Sequence, residues 1–139
     1  MSETRRPRIL VTNDDGITAR GIQSLAEAMT AFGDVYVVAP DSPQSGMSHA
    51  VTFSRILRLT PFEFGRGIKK AYACSGTPVD CVKLAVSEVF GHDNLPELLV
   101  SGINHGSNAS INLIYSGTMA AAADGAISGI PSIGFSLLD

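Results

Sequence analysis

The chain has 139 residues and a mass of 14.5 kDa, with Lys+Arg 10 against Asp+Glu 13 and a formal net charge of −3. Hydrophobic residues make up 45% and charged residues 17%, which excludes intrinsic disorder and fits one domain burying about two-thirds of its unfolded surface. Mild acidity without a basic run excludes a duplex-DNA binder, which needs Lys and Arg to displace counterions from phosphates.

In chain order, Arg8-Ile9-Leu10-Val11-Thr12 is a β-rich run ended by the turn-forming Asn13-Asp14-Asp15-Gly16. Ile22, Leu25, Ala26, Met29 and Phe32 follow helical spacing over residues 19–31, and Gly33 is expected to stop that helix. Val35-Tyr36-Val37-Val38-Ala39 is apolar without alternation, which predicts a parallel strand buried on both faces. A polar loop, residues 41–49, follows it. Residues 50–53, 56–60 and 70–74 read as short strands forming a β excursion on one edge.

Thr77-Pro78-Val79-Asp80 is a helix start, with a Thr cap, Pro at the first helical position and a carboxylate three residues on. That helix is expected to reach Val89 or Phe90. Leu98-Leu99-Val100-Ser101 is another buried strand, residues 102–117 a Gly/Asn/Ser-rich loop, 118–128 a last helix and 132–136 a last strand. Helix and strand alternating in this way predict an open, mostly parallel, Rossmann-like α/β sheet with helices on both faces. Residues 1–7 are expected to be a flexible N-terminus ahead of one domain over 8–139.

Cys74 and Cys81 are too few for a disulfide framework and read as small core residues in a reducing compartment. The polar N-terminus lacks the apolar stretch of a signal peptide. Residues 118–138 are apolar, but Asp124, glycines and Pro131 interrupt them. A cytoplasmic, membrane-free protein is the expectation.

The polar loops follow strand ends, where ligands sit in open α/β sheets. Asp14 and Asp15 are adjacent carboxylates that repel unless a cation lies between them. All-oxygen ligands suit Mg²⁺ or Mn²⁺, and Ser45 and Asn104 add neutral oxygens from neighbouring loops. The alternative use of the acidic pair is to cap the following helix; with Ser45 and Asn104 on the same edge, the metal reading is favoured.

Ser75-Gly76-Thr77 and Ser116-Gly117-Thr118 each precede a helix, where open backbone N–H groups can hold a phosphate; ordinary capping is the commoner use of such a triplet. Asn13, Gly46 and Asn108, in the same loops, are further candidate substrate contacts. His49 and His105 serve equally well as acid–base groups or as surface residues, and His92 as a solvated turn residue. No G-x-G-x-x-G follows the first strand, so a dinucleotide fingerprint is absent.

Taken together, Ile9-Leu10-Val11-Thr12-Asn13-Asp14-Asp15-Gly16-Ile17, Val37-Val38-Ala39-Pro40-Asp41, Ser75-Gly76-Thr77-Pro78-Val79-Asp80-Cys81-Val82, Val100-Ser101-Gly102-Ile103-Asn104 and Tyr115-Ser116-Gly117-Thr118 resemble the SurE family of stationary-phase survival proteins. The resemblance runs in order from Arg8 onward. It implies a metal-dependent 5′/3′-nucleotidase, a phosphoric monoester hydrolase that cleaves nucleoside monophosphates to nucleoside and phosphate.

It also implies one divalent ion held by Asp14, Asp15, Ser45 and Asn104, with Asp14 and Asp15 catalytic. Family members continue past the length of this chain with a β arm used in dimer or tetramer assembly, so the domain is expected to be truncated at its C-terminal end. Where the family often has Gly-Pro-Asn, this chain has Gly106-Ser107-Asn108.

Two other readings are a receiver-like Mg²⁺-binding signalling module and an inactive, assembly-competent fragment. The first needs an aspartate at the end of the third strand and a lysine at the end of the fifth, and the candidate strands end in Ser101-Gly102 and Ser136-Leu137 instead. A homodimer is expected, with Met119, Ala122, Ala126 and Ile127 as its contact face.

Overall fold

A computed structural model describes residues 5–43, 56–65, 67–106, 121–122, 124–126 and 129–138, with the backbone course alone at 104–106 and 137–138. Its elements in chain order are β1 (Arg8–Thr12), α1 (Arg20–Met29), β2 (Asp34–Pro40), β3 (Leu59–Pro61), β4 (Ile68–Cys74), α2 (Pro78–Leu84) with a π-helical continuation (Ala85–Phe90), β5 (Leu98–Gly106) and β6 (Ser132–Leu138). Residues 121–122 and 124–126 are helical.

The six strands form one sheet in the order β3-β4-β2-β1-β5-β6. Every neighbouring pair is parallel except β3 with β4. The chain builds outward from β1 through β2 to β4, then returns to place β5 on the other side of β1. That reversal makes the gap between the carboxyl ends of β1 and β5 the topological switch point, the crevice where such sheets take ligands.

Strand alternation divides the core between the two faces. Ile9, Val11, Val35, Val37 and Val100 pack against Ile22, Leu25 and Ala26 of α1. Leu10, Val38 and Leu99 pack against Cys81, Val82, Ala85 and Phe90 on the other face, with Ala121 and Ile130. Strands covered on both sides need apolar residues at successive positions, which is why β2 reads without alternation.

Several elements depart from their expected form. Helix α1 ends at Met29, so Phe32 lies beyond the helical spacing and is 67% exposed. Thr30 caps it, and the Arg6 guanidinium donates to the Thr30 and Gly33 carbonyls, the second at 3.0 Å. A cation from outside the local sequence thus stands at the carboxyl end of the helix, where it complements the helix dipole.

Residues 70–74 are no excursion: β4 is a full parallel member of the sheet, in register with β2 from Tyr36↔Lys70 to Pro40↔Cys74. Among the described residues only β3 is antiparallel, on the edge; residues 50–53 lie outside the described residues. The stretch after Ser101 is not all loop, since β5 runs on to Gly106 and pairs Asn104 with Ser136 of β6. Ala122, assigned to a dimer face, is 6% exposed and belongs to the chain's own core; Met119 and Ile127 lie outside the described residues. Among the described residues no helix is long and apolar enough to cross a membrane.

Candidate active site

Thr12, the last residue of β1, is the register partner of Ser101 in β5. Asp14 and Asp15 follow Thr12 by two and three positions, and Asn104 follows Ser101 by three. All three therefore stand at the carboxyl side of the switch point. Asp14 is 2% exposed and Asp15 half-buried.

The loop carrying them is shaped by Asn13, which is fully buried. Its amide Nδ2 donates to the Gly16 carbonyl at 2.8 Å, and the Gly16 N–H donates to its Oδ1 at 3.2 Å. Gly16 takes φ 104°, a conformation that favours glycine. The described part of Asn13 is thus to close the turn.

Backbone contacts then gather the neighbouring strand ends. The Ile17 N–H donates to the Pro40 carbonyl at 2.8 Å, and the Asp41 N–H to the Cys74 carbonyl at 2.8 Å. The first turn of α1 rests on β5, so closely that a Cβ on Gly21 would overlap the Ile103 carbonyl oxygen.

Neither member of the acidic pair is the N-cap residue of α1. The N-cap of α1 is Ala19, no side chain caps it, and its first turn holds no acidic residue. Asp14 and Asp15 lie upstream of that terminus. Burying a carboxylate costs free energy unless something compensates it, and carboxylate, hydroxyl and amide oxygens suit a hard divalent cation. This donor set fits such an ion.

Residues 75–77 are different. Thr77 caps α2: its hydroxyl accepts from the Asp80 N–H at 3.2 Å, while its own N–H donates to Asp80 Oδ2 at 2.9 Å, a complete capping box. The Ser75 N–H donates to the Arg58 carbonyl at 3.0 Å, and the Gly76 N–H to Cys74 Sγ at 3.4 Å. The expected open N–H groups at 75–77 are therefore all engaged within the chain, because the helix start and the neighbouring edge segment consume them.

Asn104 and His105 are placed by their backbone on β5. His92 is exposed in the turn after the π-helical segment. Ser45, Gly46, His49, Asn108, Ser116, Gly117 and Thr118 lie outside the described residues.

Sequence reading passes over two buried hydroxyls here. Thr12 and Ser101 are both 0% exposed, and neither hydroxyl has a hydrogen-bond partner among the described residues. The signal available was a polar residue ending each of two apolar runs. A cavity of about 520 Å³ lies elsewhere, at the start of β4, lined by Phe62, Phe64, Ile68, Lys69 and Lys70 among others. It is at the opposite end of the sheet from Asp14 and contributes nothing to this site.

Comparison with known proteins identifies the family and the fold. The sequence profile of the family described as "Survival protein SurE" matches residues 9–139. The "5′-nucleotidase SurE" of Christiangramia forsetii is 61% identical over 136 residues, 97% of this chain and 52% of that protein. The protein of the same name from Chlorobium limicola is 52% identical over 137 residues, 99% of this chain and 52% of that one. The crystal structure of the SurE protein from Aquifex aeolicus superposes with TM-score 0.79 at 40% identity, covering 96% of this chain and 52% of that chain. The chain spans about half the length of the curated relatives it matches.

Proposed function

The chain belongs to the SurE family, and from that premise we propose that it is a metal-dependent phosphomonoesterase that hydrolyses nucleoside 5′- or 3′-monophosphates to nucleoside and phosphate. The observation that carries this reading is the buried Asp14 carboxylate at the switch point, beside Asp15 and upstream of the α1 N-cap. The name shared by the curated relatives supports the substrate class.

In this reading Asp14, Asp15, Ser45 and Asn104 hold one Mg²⁺ or Mn²⁺ ion, whose chemistry is to draw charge from the phosphoryl oxygens. Asp14 and Asp15 are also the catalytic carboxylates, orienting attack on phosphorus in line with the leaving oxygen. Gly46, Asn108 and residues 116–118 contact the phosphate or nucleoside, joined by the Ser75 hydroxyl. Asn13 and Gly76 hold the loops in shape, and Thr77 anchors the helix behind them.

The proposal extends to a homo-oligomer, dimer or tetramer, in the cytoplasm. Ile133 and Phe135 of edge strand β6 are 46% and 38% exposed and support a contact surface there; light scattering reads the mass.

The test of function is phosphate release from a panel of nucleoside monophosphates by this chain, with EDTA and metal add-back. Release abolished by EDTA and restored by Mg²⁺ or Mn²⁺ is the expected result. Equal or faster turnover of phosphodiesters would overturn the substrate class. Metal-induced thermal shifts that survive unchanged in Asp14→Asn and Asp15→Asn would overturn the metal site.

A further inference from the structure

The segment that leaves β3 stays against β4 through the Phe62 N–H, which donates to the Ala71 carbonyl at 2.9 Å. Against both lies the cavity of about 520 Å³ at the start of β4, within the usual size of a small-molecule site. Phe62 and Phe64 form its apolar wall. Their ring centroids are 6.2 Å apart with the planes at 58°, a corner rather than a stack. Both rings and Ile68 pack on the α1-side core yet stay half-buried.

Strand β4 supplies charge through an irregularity. Its register with β2 passes from Val35↔Ile68 to Tyr36↔Lys70, so Lys69 is an extra residue, a bulge of the kind that re-aims a side chain beside a site. Regular alternation sends successive side chains to opposite faces; with the bulge, Lys69 and Lys70 both line the one cavity. Both are exposed, and neither enters an ion pair among the described residues. Glu63 stands on the same wall and weakens it as a site for a bare anion, which leaves the rings to supply the rest.

A smaller recess of about 130 Å³ shares Phe64, Gly65 and Ile68 with this cavity and adds Gln23 and Glu27 of α1. These two stand one helical turn apart and end in an amide and a carboxylate. The combined space thus offers hydrogen-bond acceptors, two aromatic rings and two ammonium groups.

We propose that this cavity is a second ligand site, one that takes a nucleotide, with the base against Phe62 and Phe64, its exocyclic N–H groups toward Gln23 and Glu27, and the phosphate at Lys69 and Lys70. Aromatic side chains hold bases by stacking, carboxylate and amide oxygens accept from N–H donors, and lysines take phosphate as point charges. The site lies at the opposite end of the sheet from Asp14, so a nucleotide held here is out of reach of the acidic pair.

The test is the amide NMR spectrum of the folded wild-type chain, titrated in EDTA with AMP, adenosine and ribose 5-phosphate. AMP should give saturable shifts at residues 62–71 and at Gln23 and Glu27. Adenosine and ribose 5-phosphate should each bind about tenfold more weakly, the worth of one charge-assisted hydrogen bond or one stacked ring. Lys69→Ala and Lys70→Ala, both at exposed positions, should weaken AMP by a similar factor and leave adenosine unchanged.

No saturable shift at residues 62–71, AMP binding equal to that of ribose 5-phosphate, or unchanged AMP affinity in both lysine variants would each overturn the proposal. Shifts confined to the residues around Asp14 would do the same, because the nucleotide would then occupy the crevice alone. No readout depends on hydrolysis or on a bound metal, so this site and the nucleotidase reading stand or fall separately.

Discussion

The two ends of the sheet handle charge in opposite ways. At the amino ends of β1, β2 and β5, charges face each other across partly exposed surface. Glu97 accepts from the Arg8 N–H at 2.8 Å and pairs with Arg5 at 2.7 Å and Arg8 at 3.5 Å, while Arg6 pairs with Asp34 at 3.5 Å. The Arg8 guanidinium also lies 5.6 Å above the Phe90 ring. At the carboxyl ends, loops are joined chiefly by backbone bonds, and the buried carboxylate of Asp14 stands at the crevice between β1 and β5.

One end is a clasp made by oppositely charged side chains. The other is drawn together by main-chain hydrogen bonds from Ile17 and Asp41. The difference shows one scaffold placing its ion pairs at one end of the sheet and a buried carboxylate at the other.

The sharpest way to break this contrast is at Asp14 or Asp15. Either Asn substitution should lower phosphate release by about a hundredfold or more, since even outer-shell partners of metal ligands are worth roughly 10–100-fold. Stability without metal should hold or rise, because a buried carboxylate is replaced by a neutral amide. Parallel phosphate assays and thermal melts, with and without Mg²⁺, check both.

Gly21→Ala attacks the junction between the architecture and the site. Its Cβ must displace the Ile103 carbonyl, at a cost of about 1–3 kcal/mol for overpacking. Because Asn104 follows directly, activity should fall along with stability, as denaturant titration and phosphate release would show. Thr77→Ala removes half of the capping box and should cost about 1 kcal/mol, read from the denaturation midpoint.

The smallest effect belongs to the clasp. Glu97→Gln should cost about 0.5–1 kcal/mol at neutral pH, given its partly exposed, screened ion pairs, and leave turnover unchanged. Burial raises the Glu97 pKa, but the Arg8 N–H and the Arg5 and Arg8 charges outweigh it, so the carboxyl lies below its usual range. Its contribution is therefore present above the unfolded-state pKa and is lost as pH falls through the folded-state value. Wild type and Glu97→Gln should converge in acid, which melts across pH would reveal.

Local chemistry accounts for what can be read along the chain. Asn13-Asp14-Asp15-Gly16 ends β1 because its residues favour a turn, and Thr77-Pro78-Val79-Asp80 starts α2 because all four suit a helix start. The apolar run of β2 announces a strand covered on both faces. The acidic pair is legible as a strand-end feature for the same reason.

Tertiary structure decides what depends on distant partners. Residues 70–74 carry the same strand signal whether they join an edge hairpin or a parallel sheet, and only pairing with β2 chooses. Strand β5 outlasts its apolar run because β6 supplies hydrogen bonds to Asn104, His105 and Gly106. Ala122 looks like a contact residue on a helix of small residues, but whether its face meets another chain or its own core depends on how that helix packs. The N–H groups at 75–77 are spent on Arg58, Cys74 and Asp80, and Cys74 and Cys81 share one core cluster only because β4 and α2 pack face to face. Turns and caps are settled within a few residues, whereas strand partners and burial are settled by groups brought near only when the whole chain folds.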